Sequence, residues 1–298
     1  MSNPVVVWVT SLDSTNPEIH PVSLPENIAG LDAVTVRLPG GAYTTIRTYH
    51  GNQVIRLQDQ VVRLEQSARL AGKPVLLDEA RFRGALRSAL AQARQQLANV
   101  PTDAGEIADL RLRLTLDLES QPGDLYIAIE LLEVPPQEAY REGVAIVTCT
   151  LERLQPEAKL TRFVARSQHI RQSLSPGVNE AVMVSAQGFL LEGLTSNFFA
   201  VAQYEIRTAG EAVLAGITRG LVLDSARRLG LSVRFKPVHV SELSTLQESF
   251  VTSSSRGVLP VCRIDALQIG SGNPGPLARR LKQTLDEIIL DQLEPLNH

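Results

Sequence analysis

Lys159-Leu160-Thr161-Arg162, Phe189-Leu190-Leu191-Glu192-Gly193-Leu194-Thr195-Ser196-Asn197-Phe198-Phe199 and Leu214-Ala215-Gly216-Ile217-Thr218-Arg219 follow one another in the second half of the chain. A lone lysine, a carboxylate at a strand end and a glycine-led helix start, in this order, supply three functions. The amine can form an imine with an aldehyde, the anion can face a pyridine nitrogen, and helix N-terminal N–H groups can take a phosphate. Together they are the parts needed to hold pyridoxal phosphate (PLP).

Each part also has a bland reading. The chain has four lysines, Lys73, Lys159, Lys236 and Lys282, and most lysines are solvated surface groups. Lys159 follows Arg153-Leu154-Gln155-Pro156 at the end of a predicted strand, where loops carry function; a Schiff-base lysine needs nearby cations or partial desolvation to lower its pKa. Glu192 is either an exposed turn carboxylate or a buried one, and a buried one needs a partner such as a pyridinium N–H. Gly216-Ile217-Thr218 opening a helix is an anion-site pattern or an ordinary Thr N-cap. Thr252-Ser253-Ser254-Ser255 offers more hydroxyls and amides to the same phosphate, or is a polar loop. Arg63 is a distant phosphate clamp or a solvated helix arginine. The five histidines (His20, His50, His169, His239, His298) form no metal-ligand spacing. There is no G-x-S-x-G elbow, and Gly72-Lys73 lacks the glycines of a nucleotide P-loop.

At 298 residues the length favours about two domains. With 44% hydrophobic and 20% charged residues and a formal net charge of −3, no sign dominates enough to suggest nucleic acid or an anionic membrane. The partner expected is a small molecule. Cys149 and Cys262 lie in apolar strand-like contexts and read as reduced core thiols. The N-terminus shows neither a basic leader nor an apolar span of membrane length, so a cytoplasmic location is expected.

Along the chain, residues 4–10 read as an opening strand and Ser11 to Asn27 as a loop. Ala33 to Leu38 is β-branched and reads as a strand ending at Pro39-Gly40-Gly41. Tyr43 to Tyr49 and Val54 to Leu57 would continue it as an antiparallel meander. Helices are predicted from Asp59 to Gly72 and from an Asp78 N-cap toward Pro101. Leu110 to Leu116 alternates strictly and turns at Gln121-Pro122-Gly123-Asp124 into a partner strand, Leu125 to Leu132. The prolines of Val134-Pro135-Pro136 mark a linker at 134–140, between a small α+β domain at 1–133 and a larger domain at 141–298. In the latter, strands are predicted at Val144–Leu151, Ala181–Val184, Gly188–Leu191, Phe198–Ala202 and Phe250–Thr252, and helices at Arg162–Leu174, Thr218–Leu229 and Leu277–Leu293.

The ordered set of Gly41-Ala42-Tyr43-Thr44-Thr45-Ile46-Arg47, Arg63-Leu64 with Ser67-Ala68, Arg153 to Lys159, Glu192-Gly193 with Ser196-Asn197-Phe198-Phe199, Gly216-Ile217-Thr218-Arg219 and Pro260-Val261 resembles the class IV, or fold-type IV, PLP enzymes. These are the branched-chain and D-amino-acid aminotransferases and aminodeoxychorismate lyase. The resemblance implies an α+β, two-domain D-amino-acid-aminotransferase-like fold: a small α+β domain plus a larger β-barrel-like domain with surrounding helices, the cofactor between them, in a homodimer. It implies that Lys159 forms the Schiff base with PLP, that Glu192 pairs with the pyridine nitrogen, and that Arg63, Gly216, Ile217, Thr218, Ser253 and Ser254 hold the phosphate. Tyr43, Arg47 and Arg162 are candidate substrate contacts, being near the matched motifs and suited to a carboxylate.

The activity implied is amino transfer between an amino acid or amine and a 2-oxo acid. Within the same chemistry the alternative is aminodeoxychorismate lyase, to which Thr44-Thr45-x-Arg47 is closer than to the aminotransferases, which usually carry an acidic residue there. Other departures are Val164 in place of the branched-chain enzymes' tyrosine and Ser253-Ser254 in place of the usual Gly-Thr. A non-catalytic PLP- or metabolite-binding homologue is a further rival, and having both Lys159 and Glu192 argues against it.

Overall fold

A computed structural model describes residues 4–12, 18–25, 28, 30–98 and 108–296. His298, Pro101 and residues 13–17 and 26–27 of the expected 11–27 loop lie outside the described residues. The chain forms two compact units, one made of Met1–Glu133, Ala158–Arg166 and Gln292–His298, the other of Val134–Glu157 and Ser167–Asp291.

The first unit contains β1 (Val6–Ser11), β2 (His20–Pro21), α1 (Leu31–Thr35), β3 (Gly41–Arg47), β4 (Gln53–Ile55), α2 (Leu57–Leu70), α3 (Glu79–Leu97), β5 (Leu110–Asp117) and β6 (Asp124–Leu131). Its sheet runs β2-β1-β6-β5-β3 with antiparallel pairs throughout. Because side chains alternate across a strand, Leu110, Leu112, Leu114 and Leu116 bury themselves in the core with Ala42 and Ile46 of β3. The same alternation turns Tyr43, Thr45 and Arg47, with Arg113 and Thr115 of β5, to the other face, where Tyr43 lies opposite Thr115 and Thr45 opposite Arg113. Val61, Leu64 and Ala68 of α2 close the core at helical spacing. The expected stop at Gly72 holds, with φ 77°, and Asp78 caps α3 by accepting from the Arg81 N–H at 2.9 Å.

The expected strand at Ala33–Leu38 is instead α1. Leu31 and Val34, three apart, are fully buried against Val7 and Ala128, and Glu130 accepts the Leu31 N–H at 3.1 Å. Burial of one helical face plus a satisfied N-terminus outweighs the β-preference of the side chains. The expected meander is reduced to one bridge: Tyr49 and Gln53 exchange backbone hydrogen bonds across the His50-Gly51-Asn52 turn, but β3 pairs with β5 and β4 with a strand at Leu293–Pro295.

The second unit begins with α4 (Gln137–Glu142), so the stretch expected to be a spacer turns helical directly after Pro136, its N-cap. Then follow β7 (Val144–Cys149), α5 (Thr161–Gln172), which starts among first-unit residues, β8 (Val178–Val184), β9 (Phe189–Gly193), β10 (Asn197–Ala202), β11 (Glu205–Arg207), α6 (Ile217–Arg228), β12 (Val233–Arg234), β13 (Val238–His239), β14 (Glu248–Ser253), β15 (Gly257–Ile264), β16 (Leu267–Gln268) and α7 (Pro276–Asp291). Strands β10-β14-β15-β7-β8-β9 lie side by side, and β9 pairs back to β10, which closes a barrel. Ile146, Val182, Leu190, Phe198, Val251 and Leu259 fill it. The sequence reading misses β15 because Pro260 interrupts a strand pattern; β7 starts opposite Val261, just past the proline. The last predicted helix ends at Asp291, short of Leu293, and β17 (Leu293–Pro295) returns to pair with β4 in the first unit.

Glu242 lies in the 3-10 turn after β13 and takes an ion pair from Arg207 at 2.7 Å and the His239 N–H at 2.9 Å. These hold its carboxyl down from the ordinary 4.5 to about 2. A depressed carboxylate stabilises the fold above its unfolded pKa, and the contribution is lost as pH falls through the folded one. At 38% side-chain exposure, solvent screening limits it to about 1 kcal/mol. Glu242→Gln should lower the melting temperature at pH 7, and the gap from wild type should close as pH is brought from 4.5 to 2; a gap that stays constant would refute the assignment.

Candidate active site

Glu192 stands at the place where the barrel closes. It is paired with Asn197, the one register pair between β9 and β10, and is 2% exposed, so the turn-carboxylate reading fails. Its Oε1 lies 3.0 Å from Arg153 Nε, and both side chains are almost wholly buried. Its Oε2 accepts from Asn197 Nδ2 at 3.2 Å and from the Leu214 N–H at 3.0 Å. Asn197 Nδ2 also donates to the Leu214 carbonyl at 2.9 Å. One amide thereby stitches the carboxylate to the segment that leads into α6.

That segment ends at Gly216, whose missing side chain is required: a Cβ there would collide with Asn197 Oδ1. The same holds at Gly193, where a Cβ would meet Ser196 Oγ and come within 3.0 Å of Glu180. Gly216 is the N-cap of α6 and gives no side-chain cap, so Thr218 is not the N-cap. The first-turn N–H groups of the helix, with its positive dipole end, suit an anion. Across β10, Thr252 lies opposite Asn197, and the buried Thr252 Oγ1 and Ser253 Oγ have no hydrogen-bond partner among the described residues. Buried hydroxyls without partners are costly, and a bound phosphate would satisfy them. The residues present therefore fit the cofactor at its ring nitrogen and its phosphate. Arg219, one residue past Thr218, donates to the Ala209 carbonyl at 2.8 Å and lies over Phe235; burial lowers its pKa and the charge of Glu192 opposes that.

In the first unit, Lys159 is held through its backbone. Its carbonyl accepts from the Tyr43 N–H at 2.9 Å, its N–H donates to Ser67 Oγ at 3.0 Å, and its neighbours Leu160 and Thr161 bond to Ala42 and Gly41. The segment thus extends the edge of β3. Lys159 Nζ sits 5.1 Å from the centre of the Tyr43 ring, and the Arg113 guanidinium lies 5.1 Å from the same ring. Of the other lysines, Lys73 and Lys236 are exposed and Lys282 pairs with Asp286. Arg63 lies on α2 one turn before Ser67 and is half-buried. Arg47 is committed to Asp109 at 3.1 Å and to the Tyr49 ring, and Arg162 is exposed. Thr44 turns into the core to donate to Gln60, which leaves Thr45 on the face of Tyr43.

Asn197, Ser67, Arg113 and the Arg153 ion pair carry roles the sequence reading does not assign. The usable signal is an asparagine following the carboxylate across a tight turn. No group of His, Cys, Asp and Glu able to hold a metal occurs among the described residues, and no described helix is long and apolar enough to cross a membrane.

A small antiparallel α+β unit and a six-stranded barrel closed at a buried carboxylate define the fold of the fold-type IV aminotransferases. It is shared with the branched-chain amino acid aminotransferase of T.th. solved with pyridoxamine 5'-phosphate (TM-score 0.75, 21% identity, 98% of each chain). A hypothetical aminotransferase from Mycobacterium tuberculosis, solved in a PLP-bound form, shares it as well (TM-score 0.71, 22% identity, 96% of this chain and 99% of that one). The chain belongs to the class IV aminotransferase family, whose sequence model matches residues 41–264. It is similar to the D-alanine aminotransferase of Bacillus licheniformis, 28% identical over 257 residues that make up 85% of this chain and 88% of the relative. It is also similar to the branched-chain-amino-acid aminotransferase of Pseudomonas aeruginosa, 24% identical over 270 residues, 85% of each. Enzymes of this class use PLP.

Removing one member of a buried ion pair leaves an uncompensated charge and costs about 3–5 kcal/mol. Arg153→Met should therefore lower the urea midpoint strongly, and adding Glu192→Gln should recover part of the loss. A double variant no more stable than Arg153→Met would show that the two side chains are not coupled.

Proposed function

We propose that the protein is a PLP-dependent transaminase that moves an amino group between an amino acid or amine and a 2-oxo acid, with Lys159 as the Schiff-base lysine. The observation that carries the reading is the network joining Arg153, Glu192, Asn197 and Leu214 to the start of α6. It fixes an anion and an anion-binding helix start in one frame, as a pyridine ring bearing a phosphate requires.

When bound, PLP supplies the electron sink that makes a substrate Cα–H acidic. Glu192 then holds the proton on the ring nitrogen by its charge, and Arg153 keeps that carboxylate in place. Ser253, Ser254, Gly216, Ile217, Thr218 and Arg63 bind the phosphate. Lys159 would hold the cofactor through its amine, and that amine, when free, would be the base that takes the proton from the substrate Cα. Tyr43 sets the position of the Lys159 amine, and with Arg113 beside it offers an aromatic and cationic surface to a substrate carboxylate. The assembly proposed is a homodimer, and the partners are amino and keto acids.

An absorption spectrum of the purified protein, before and after L- and D-amino acids and primary amines, tests the reading. A near-visible imine band should be lost with one class of donor, and Lys159→Ala should abolish the band and lower turnover by about 10²–10⁴-fold. Full turnover and an intact band in that variant would overturn the lysine's role, and a band indifferent to every donor would overturn transamination.

A further inference from the structure

A second buried carboxylate lies in the barrel and takes no part in the chemistry above. Glu180 of β8 is 2% exposed. Its Oε2 receives the Thr195 N–H at 3.3 Å, Thr195 Oγ1 at 2.6 Å, Ser196 Oγ at 3.1 Å and Arg256 Nη1 at 2.8 Å. Its Oε1 accepts the Ala181 N–H at 3.1 Å. Four donors on one oxygen come from two turns. Thr195 and Ser196 form the link between Glu192-Gly193 and Asn197; Arg256 belongs to the turn that begins at Ser253-Ser254 and ends at Gly257, where β15 starts. The far side of that turn is held as well, since the Arg256 carbonyl accepts from Tyr140 Oη at 2.8 Å. Gly193 packs so closely that a Cβ would come within 3.0 Å of Glu180 Cγ.

We propose that Glu180 is a positioning residue that locks the turn bearing Ser253 and Ser254 to the turn that follows Glu192, and so sets where the phosphate is held relative to the ring-nitrogen carboxylate. This rests on the PLP reading above. The Arg256 side chain is the arm of the lock: its ion pair reaches Glu180 from the 253–257 turn. Charge-assisted bonds of this kind fix geometry as well as adding energy. Without the lock the serine turn keeps its strand anchors in β14 and β15, whose register ends at Ser253 and Gly257, but Arg256 between them loses its tether.

The consequence is selective. Loss of the lock should weaken recognition of the phosphate and leave recognition of the ring and its aldehyde in place. The test is a pair of titrations of apoprotein, prepared from the holoenzyme, with PLP and with pyridoxal, which lacks the phosphate. Wild type should prefer PLP. Glu180→Gln, which keeps the shape and the hydroxyl contacts, should reduce the PLP-to-pyridoxal affinity ratio at least tenfold. Arg256→Gln, at the more exposed end of the pair, should reproduce that loss with little change in melting temperature; Arg256→Lys should restore part of the ratio, and the double Gln variant should be no worse than either single one. If both Gln variants keep the wild-type ratio while melting earlier, Glu180 is a structural carboxylate and the inference is overturned. If wild type itself shows no preference for PLP, the phosphate assignment fails and the inference falls with it.

Discussion

A carboxylate buried at the seam of a barrel is the constraint on which this structure turns. The β9–β10 pairing that closes the ring is confined to Glu192 and Asn197, and a charge at that point, cut off from water, must be surrounded by donors or abandoned. Its partners come from far apart in sequence: the Arg153 charge from the loop after β7, and the hydrogen-bond donors Asn197, from the start of β10, and the Leu214 N–H, from the approach to α6. Satisfying one side chain therefore positions three segments. Closure of the fold and assembly of the anion-facing part of the site are the same physical event.

The first unit solves a simpler problem by simpler means. Strict alternation in β5 sends leucines into the core and leaves Arg113 and Thr115 on the opposite face, and pairing with β3 adds Tyr43 and Thr45 to that face. β3 is an edge strand, and edges with open backbone groups invite unwanted pairing. The segment around Lys159 covers part of this edge with hydrogen bonds to Gly41 and Tyr43. The lysine is thus placed by its main chain, and its Nζ lies over the ring of Tyr43 on β3.

How much of this is legible in the sequence follows from how local each feature is. The leucine alternation of β5, the Asp78 cap and the Gly72 stop depend on a few neighbouring residues and can be read directly. Lys159, Glu192 and Gly216 stand out because their residue types and order match a chemistry. Asn197, Ser67 and Arg113 do not, because each acts through a contact distant in sequence or through a neighbour's backbone. The strand expected at Ala33–Leu38 becomes α1 because Leu31 and Val34 have a sheet face to cover and Glu130 is there to receive the helix start, a fact that only the tertiary structure supplies. The prolines at 135 and 136 lie where the second unit begins, although the stretch after them is helical, and the return of 158–166 and 292–296 to the first unit leaves no composition signal, since it is made by backbone pairing with β3 and β4.

Two carboxylates on adjacent strands of one barrel, Glu180 and Glu192, are each buried against an arginine. Burying such pairs is a weak way to gain stability, because desolvation offsets most of the attraction and apolar residues of equal volume often serve better. Their value must lie in what apolar side chains lack, which is direction. An apolar contact tolerates sliding, whereas a carboxylate that accepts from several named donors fixes each of them to a few tenths of an ångström. Glu192 applies that directionality to the approach to α6, and Glu180 to the two turns that flank the closing pair. For the PLP proposed above, charged at its ring nitrogen and at its phosphate, both ends of the site would have to be fixed relative to each other. A core filled with leucine would be stable here and would leave that distance unspecified.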